Sequence, residues 1–477
     1  MRAAAALLLV AALLAGCGGD GPPAPADSTV DATLVDGDRD GALDPGPGEP
    51  LADRADLRPA ARPGAVLATL AQITDAHVRD EESPARVPFL DRFGGPFAST
   101  FRPQEALSTQ VLTAAVRAVD GLAPDAVFVT GDLIDSAESV ELDQALAVLD
   151  GGRVDPDTGG PGYAGVQAPE RPDPFFYRPD LDAPRHPGLL DAAERPFRSP
   201  GLRAPWYPAL GNHDVLVQGE TPPTAQLDAI ATGARMVVAL PRGAEPDPDA
   251  DPATQVDALL GSSPSIGVPA DPRRRHLRPA EEIARLTTRD AAPDPLRAAA
   301  GRATLDYAVD LGDRARALVL DTADRAGGSR GLLRPGQIAW LRGELAGLGG
   351  RALLVFTHNP LDNTVRGDAA LAALDATPGV VAVIAGNSHR NRIAPRPEGG
   401  YWQISTSSLA DHPQQARALR LRASPSGYAL ESWMIDHDGR GLAGVSRELA
   451  FLDAQGGRPL GYAGTPADRN ARLFVAR

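Results

Sequence analysis

Apolar runs that end abruptly in polar residues recur along this chain from about residue 64. "AVLATLAQIT" (65–74) runs straight into Asp75, "PDAVFVTGD" (124–132) breaks at a glycine, and "APWYPALGNHD" (204–214) repeats the device. "ARALVLDT", "RALLVFTHNP" and "GVVAVIAGNSH" add three more. Between them, "QEALSTQVLTAAVRAVD" (104–120) and a stretch near 335–348 carry helical spacing. Strand–helix alternation of this kind predicts an α/β core.

Two stretches interrupt the alternation. Residues 151–203 are dense in Pro, Gly and Asp, and 215–300 hold only short helical patterns. Neither carries a long periodic core, so both read as insertions over a site rather than as domains. The core domain then spans 64–440, preceded by an N-terminal arm at 33–63 and followed by a C-terminal extension, 441–477, that packs on it. No internal repeat is visible.

The first residues change the picture of where the chain works. Arg2 precedes an apolar run from Ala3 to Ala15, too short for a bilayer span and shaped like the core of a signal peptide. It ends in Leu14-Ala15-Gly16-Cys17, which resembles a bacterial lipobox. Residues 1–17 thus read as a lipoprotein signal peptide, with lipidated Cys17 anchoring an exported chain to the extracytoplasmic face of a bacterial membrane. Residues 18–32, rich in Gly, Pro, Ala and Asp, read as a flexible tether. Cys17 is the only cysteine, so no intramolecular disulfide forms.

Composition adds two exclusions. A hydrophobic share of 43% among 477 residues is ample for a sizeable core, so the chain is not a disordered one. A net charge of −15 argues against nucleic acid as a stable partner, since phosphate backbones demand clustered positive charge. All 47 basic residues are arginine, which reads as codon bias rather than function. In "VDGDRDGALD", Asp36, Asp38, Asp40 and Gly41 resemble the start of a calcium loop, but Pro47 stands where a bidentate glutamate belongs. The segment is read as a turn.

The candidate chemistry lies at five strand ends: Asp75-Ala76-His77, Gly131-Asp132, Gly211-Asn212-His213-Asp214, His358, and Gly386-Asn387-Ser388-His389. In open α/β sheets, groups beyond the carboxyl ends of strands converge even when far apart in sequence. Asp, Asn and His together offer hard oxygen and borderline nitrogen donors, a set suited to Mn, Fe or Zn.

The order and spacing of these five motifs resemble the calcineurin-like metallophosphoesterase superfamily over about residues 64–412. "ITDAHVRDEESPARVPFLDRF", "STSSLADHPQQARAL" and "GPGEP" (46–50) resemble an exported, mostly uncharacterised bacterial branch of it. The resemblance implies a four-layer α/β-β-α sandwich of two mixed sheets flanked by helices, with insertions over the active site. It implies two divalent ions, Mn, Fe or Zn, and hydrolysis of a small phosphomonoester or phosphodiester by metal-activated water. Carried over by position, Asp75, His77 and His389 hold one ion, Asp132 bridges, and Asn212, His358 and Asn387 hold the other. His213, oriented by Asp135, serves the leaving oxygen.

Asn387 departs from the pattern, which has histidine there. Its neutral, shorter side chain predicts a weakened second site that favours Mn²⁺ over Zn²⁺. The alternative class is a metal-binding surface protein of the same fold with little turnover, and a further one makes 151–300 a docking surface. Of the remaining histidines, His412 either approaches the site or lies in a surface loop, while His186, His276 and His437 read as solvated. "DPRRRHLR" (271–278) reads as a solvated charged face.

Overall fold

The computed structural model describes residues 28–94, 97–247, 250, 252–262, 264–425, 427–455 and 462–476. Cys17, the signal-peptide reading and most of the tether reading lie outside the described residues. Two large mixed sheets with flanking helices form the core, as a four-layer α/β-β-α sandwich. The larger has seven strands, in the order Ala52–Arg54, Ala471–Ala476, Gly427–Asp436, Gln415–Ser424, Val66–Ile73, Ala126–Thr130 and Trp206–Ala209. The smaller runs Tyr307–Leu311, Ala315–Leu320, Ala352–Thr357, Val380–Ala385, Tyr401–Ser405 and Arg392–Arg396.

The strands that carry the candidate residues are parallel neighbours. Val66–Ile73 pairs with Ala126–Thr130, which pairs with Trp206–Ala209, while Ala352–Thr357 pairs with Val380–Ala385. Ala126–Thr130, Ala352–Thr357 and Val380–Ala385 are buried at every residue, which explains their unbroken apolar sequences. The two sheets meet face to face through Phe128 and Phe356, whose rings stack at 3.8 Å. The Gln72 side chain donates to the Ala385 carbonyl at 3.2 Å across the same seam. Parallel strands in both sheets therefore end together, and so do their polar tails.

The chain ends are more integrated than their sequences suggest. Thr29 donates its backbone N–H and its hydroxyl to the Met434 carbonyl, so residues 28–32 begin a docked arm rather than continue a tether. Residues 32–35 and 44–47 pair as a hairpin, in agreement with a turn over "DGDRDG". The C-terminal extension does more than pack. Ala471–Ala476 inserts between two strands of the larger sheet, where Leu473 and Val475 join the main apolar core.

The insertions bury a second apolar cluster, built from Val87, Phe89, Leu90 and Phe101 together with Val166, Phe176, Val217, Leu227 and Met236. In the basic run at 271–278, Arg273, Arg275 and Arg278 are exposed as a solvated face requires, but one arginine is not. Arg274 is wholly buried, its Nε 2.7 Å from Asp80 Oδ2, while Arg273, Arg275 and Arg278 each pair with a nearby acid. A lone buried guanidinium is costly, so Arg274 finds Asp80 and clamps the second insertion onto the loop after the first core strand. His276 and His437 are likewise buried, at 3% and 1% exposure, because Asp228 takes His276 Nδ1 and Arg447 covers the His437 backbone. His186 is partly exposed beside Glu448.

His412 turns away from the site and packs against Phe451, its Nδ1 without a hydrogen bond. Burial, helped by the Arg447 charge, lowers its pKa from 6.5 to about 4. The unfolded chain then binds this proton more tightly. The stabilisation is present above pH 6.5 and is lost as pH falls toward 4, by up to ~3 kcal/mol. Denaturant unfolding at pH 7 and pH 4.5 should show a smaller acid loss for His412→Leu than for the native chain. An equal loss in both would remove His412 from the account.

Candidate metal centre

The geometry of the strand ends is set by backbone that few residues tolerate. Asp75, His77, Asp132, Asn387 and His389 all have positive φ, between 44° and 60°. Left-handed backbone costs a non-glycine residue on the order of 1 kcal/mol, so five such residues at one place point to a functional constraint. Hydrogen bonds between loops hold them: Asp75 N–H donates to the Gly131 carbonyl and His77 N–H to that of Asp132. Gly386 N–H reaches the His358 carbonyl, and Leu409 N–H that of Asp75. Gly131, at φ +86°, permits the approach; a Cβ there would lie 2.5 Å from His358 Nδ1.

The structure brings Asp75, His77 and His389 into one group and Asp75, Asp132 and His358 into another, with donor atoms in each group within 4.8 Å of one another. His358 Nε2 lies 3.2 Å from Asp132 Oδ2 and 3.1 Å from Asn212 Oδ1. Asn212 donates its amide to the Gly219 carbonyl, which turns its oxygen inward. His389 Nε2 lies 3.4 Å from Asp75 Oδ1. Asn387 meets the site through its backbone: its N–H donates to both Asp75 oxygens, at 3.0 and 3.2 Å. Its side-chain amide makes no hydrogen bond among the described residues.

Three imidazoles share one orientation. His77 donates Nδ1–H to Asp135 Oδ1 (2.9 Å), His358 to the Thr130 carbonyl (2.9 Å) and His389 to Asp411 Oδ2 (2.5 Å). Each therefore turns Nε2 inward, and His77 Nε2 sits 3.2 Å from His389 Nε2. Two nitrogen lone pairs face each other at that distance only around a cation or a shared proton. Outer acceptors that fix the tautomer and direct the other nitrogen inward are what metal-ligating histidines require. The electrostatics agree. Burial disfavours the His358 imidazolium, but Asp132 outweighs it and raises the pKa to about 10. Burial, then the His213 charge, pulls His77 down to about 4. The carboxylates draw in positive charge, and one buried ring resists supplying it. The residues present fit divalent cations.

His213 lies just outside. Its backbone N–H donates to Asp132 Oδ1 at 2.9 Å, and its ring is 4.5 Å from that of His77. Asp135 orients it mainly through its backbone carbonyl, which accepts Nδ1–H at 2.7 Å, while the Asp135 carboxylate oxygen is 3.5 Å away. That carboxylate is committed instead to His77 and to Arg79 (2.8 Å).

Sequence reasoning missed the shell behind the ligands. Asp411, not its neighbour His412, serves the site, and Arg102 grips it at 2.6 and 3.1 Å. Glu105 joins the two halves. It binds Arg79 at 3.1 Å, Arg86 at 3.0 Å, and the backbone N–H of Arg102 at 3.1 Å. No spacing rule marks these residues, whose partners lie far along the chain.

No family model and no curated protein matches the chain. Among solved structures it is similar to a dimetal phosphatase from Danio rerio, at 13% identity and TM-score 0.42, covering 78% of this chain and 97% of that one. It is similar also to PhoD, at 11% identity and TM-score 0.33, covering 83% and 73%. A third is the sulfate thiohydrolase SoxB of Thermus thermophilus in complex with glycerol, at 14% identity and TM-score 0.31, covering 83% and 61%. Likenesses this distant carry no chemistry to this chain. The side chains above do.

Proposed function

We propose that the chain is a binuclear metal-dependent phosphoesterase. The observation that carries this reading is the shared orientation of His77, His358 and His389, each fixed through Nδ1 and turned inward on Asp75 and Asp132. Asp75, His77 and His389 would hold one divalent ion, His358 and Asn212 the other, with Asp132 shared. When bound, such a pair supplies Lewis-acid activation of water and neutralises charge on phosphoryl oxygens.

The chain's own residues do the rest. Asp132 fixes the His213 backbone through Oδ1, and Asp135 holds Nδ1, so the His213 Nε2 is the edge left to serve a leaving oxygen. Burial opposes a charge on His213, but Asp132 and Asp135 outweigh it and raise the pKa to about 9, a direction that favours the protonated ring a proton donor needs.

A specific observation favours a second reading. The Asn387 amide offers the site no side-chain contact, which leaves one half with fewer protein donors and suits a metal-binding protein with little turnover. The assay is hydrolysis of 4-nitrophenyl phosphate and bis(4-nitrophenyl) phosphate with added Mn²⁺. Turnover that falls about 10²–10⁴-fold in His213→Asn supports the enzyme; none on either ester supports the binding protein. The reading also places the chain outside the cytoplasm on a lipid at Cys17, and Cys17→Ser should move it from the membrane fraction to the soluble one. No described helix is long and apolar enough to cross a membrane.

A further inference from the structure

A cavity of about 280 Å³ adjoins the His213 ring. Its deep wall is apolar: Val87, Leu90 and Val217 are 4%, 3% and 2% exposed and belong to the apolar cluster that the insertions bury. Phe97 extends that wall, and Ser99 stands exposed at the rim.

Among the described residues, the lining carries two acids, Glu220 and Asp247, and one basic ring, His213. Gln218 accepts the Val87 N–H through Oε1 at 2.9 Å, leaving its NH₂ as the neutral donor there. Glu220 is partly buried, and burial raises its pKa against the opposing His213 charge. A second phosphate or a carboxylate placed here would be desolvated beside Glu220, with no arginine among the described lining residues to meet it. Arginine is abundant close by, at Arg79, Arg86 and Arg102, but each is paired with Glu105, Asp135 or Asp411.

His213 therefore stands between two unlike compartments. On one side its backbone meets Asp132 and the clustered ligands; on the other its ring borders an apolar, acid-rimmed cavity. We propose that this cavity receives the alcohol portion of the ester, and that it selects an apolar alcohol, neutral or cationic at its polar end, over one bearing a further anionic group. The inference rests on the phosphoesterase reading and narrows its substrate class. Nucleotide and acidic sugar leaving groups are disfavoured by it.

The full chain, loaded with Mn²⁺, is assayed with benzyl phosphate and with phosphoglycolate. The expected kcat/KM favours benzyl phosphate by on the order of tenfold or more, mostly through KM. Ser99→Arg, at an exposed position with no assigned part in catalysis, should cut that ratio by drawing phosphoglycolate in, and Glu220→Gln should narrow it. Saturation-transfer NMR with benzyl alcohol reads the cavity without turnover: the native chain binds it, and Ser99→Trp, which fills the rim, weakens it. Hydrolysis of both esters with no preference, unmoved by Ser99→Arg, overturns the cavity's role and leaves the phosphoesterase standing. Should no ester react, bis(4-nitrophenyl) phosphate included, the phosphoesterase reading fails and the cavity's part in an ester goes with it; should only the diester react, the NMR arm decides the cavity: alcohol bound and weakened by Ser99→Trp supports it, no binding overturns it.

Discussion

Asp132→Ala lowers kcat/KM by on the order of a thousandfold or more, the largest single effect foreseen for this chain. One carboxylate does three things there. Its Oδ2 faces His358 at 3.2 Å and His77 at 3.8 Å, and its Oδ1 accepts the His213 N–H. Alanine removes the proposed shared ligand, the charge that balances the imidazoles, and the anchor of the outer histidine together. Asp132→Asn separates these parts, because an amide oxygen can keep the His213 contact while losing the charge. Steady-state kinetics with added Mn²⁺ should rank native above Asn above Ala. Near-native turnover in Asp132→Ala would refute the bridge.

Glu105→Ala has the largest expected effect on stability, a loss of ~3–5 kcal/mol, since it strands buried positive charge. Arg86 keeps only the Thr100 carbonyl at 3.4 Å and a distant Asp135 oxygen at 3.8 Å. The same substitution loosens both orienting chains, Arg79–Asp135–His77 and Arg102–Asp411–His389. Metal affinity should drop by about 10–100-fold, as it does when outer partners of ligands are lost. Urea unfolding reads the first effect and calorimetric titration with Mn²⁺ the second. A folded variant of native stability would show that the arginines find other partners, and native affinity would remove Glu105 from the site's support.

How much of this was legible in the sequence follows from which forces leave a local pattern. Strands buried on both faces must be apolar along their length, so "AVFVT" and "ALLVFT" announce themselves, and the polar residues after them fall at the shared strand ends. That is why Asp75, Asp132, His358 and His389 could be placed together from sequence. The flat apolar-then-polar signal says nothing of what stands behind the ligands. Asp411, Arg102 and Glu105 are single polar residues whose partners lie across the fold, as far as 309 positions away for Arg102 and Asp411. Arg274 misled for the same reason, since a basic run looks solvated until Asp80, 194 positions away, is brought against it. Ala471–Ala476 went unrecognised as a core strand because its register is supplied by neighbours on both sides, not by its own six residues. Asn387 shows a different limit. Its side chain invited a ligand role, whereas its contact to Asp75 runs through the backbone, which residue identity does not encode.

Calorimetric titration of the chelator-stripped full chain with Mn²⁺ tests the central proposition most directly. Two cations should bind per chain with unequal affinity, the weaker event vanishing in Asp132→Ala. Failure to take up any divalent ion, or uptake of a single ion untouched by that substitution, would mean the inward-facing imidazoles and carboxylates serve something other than a paired metal site.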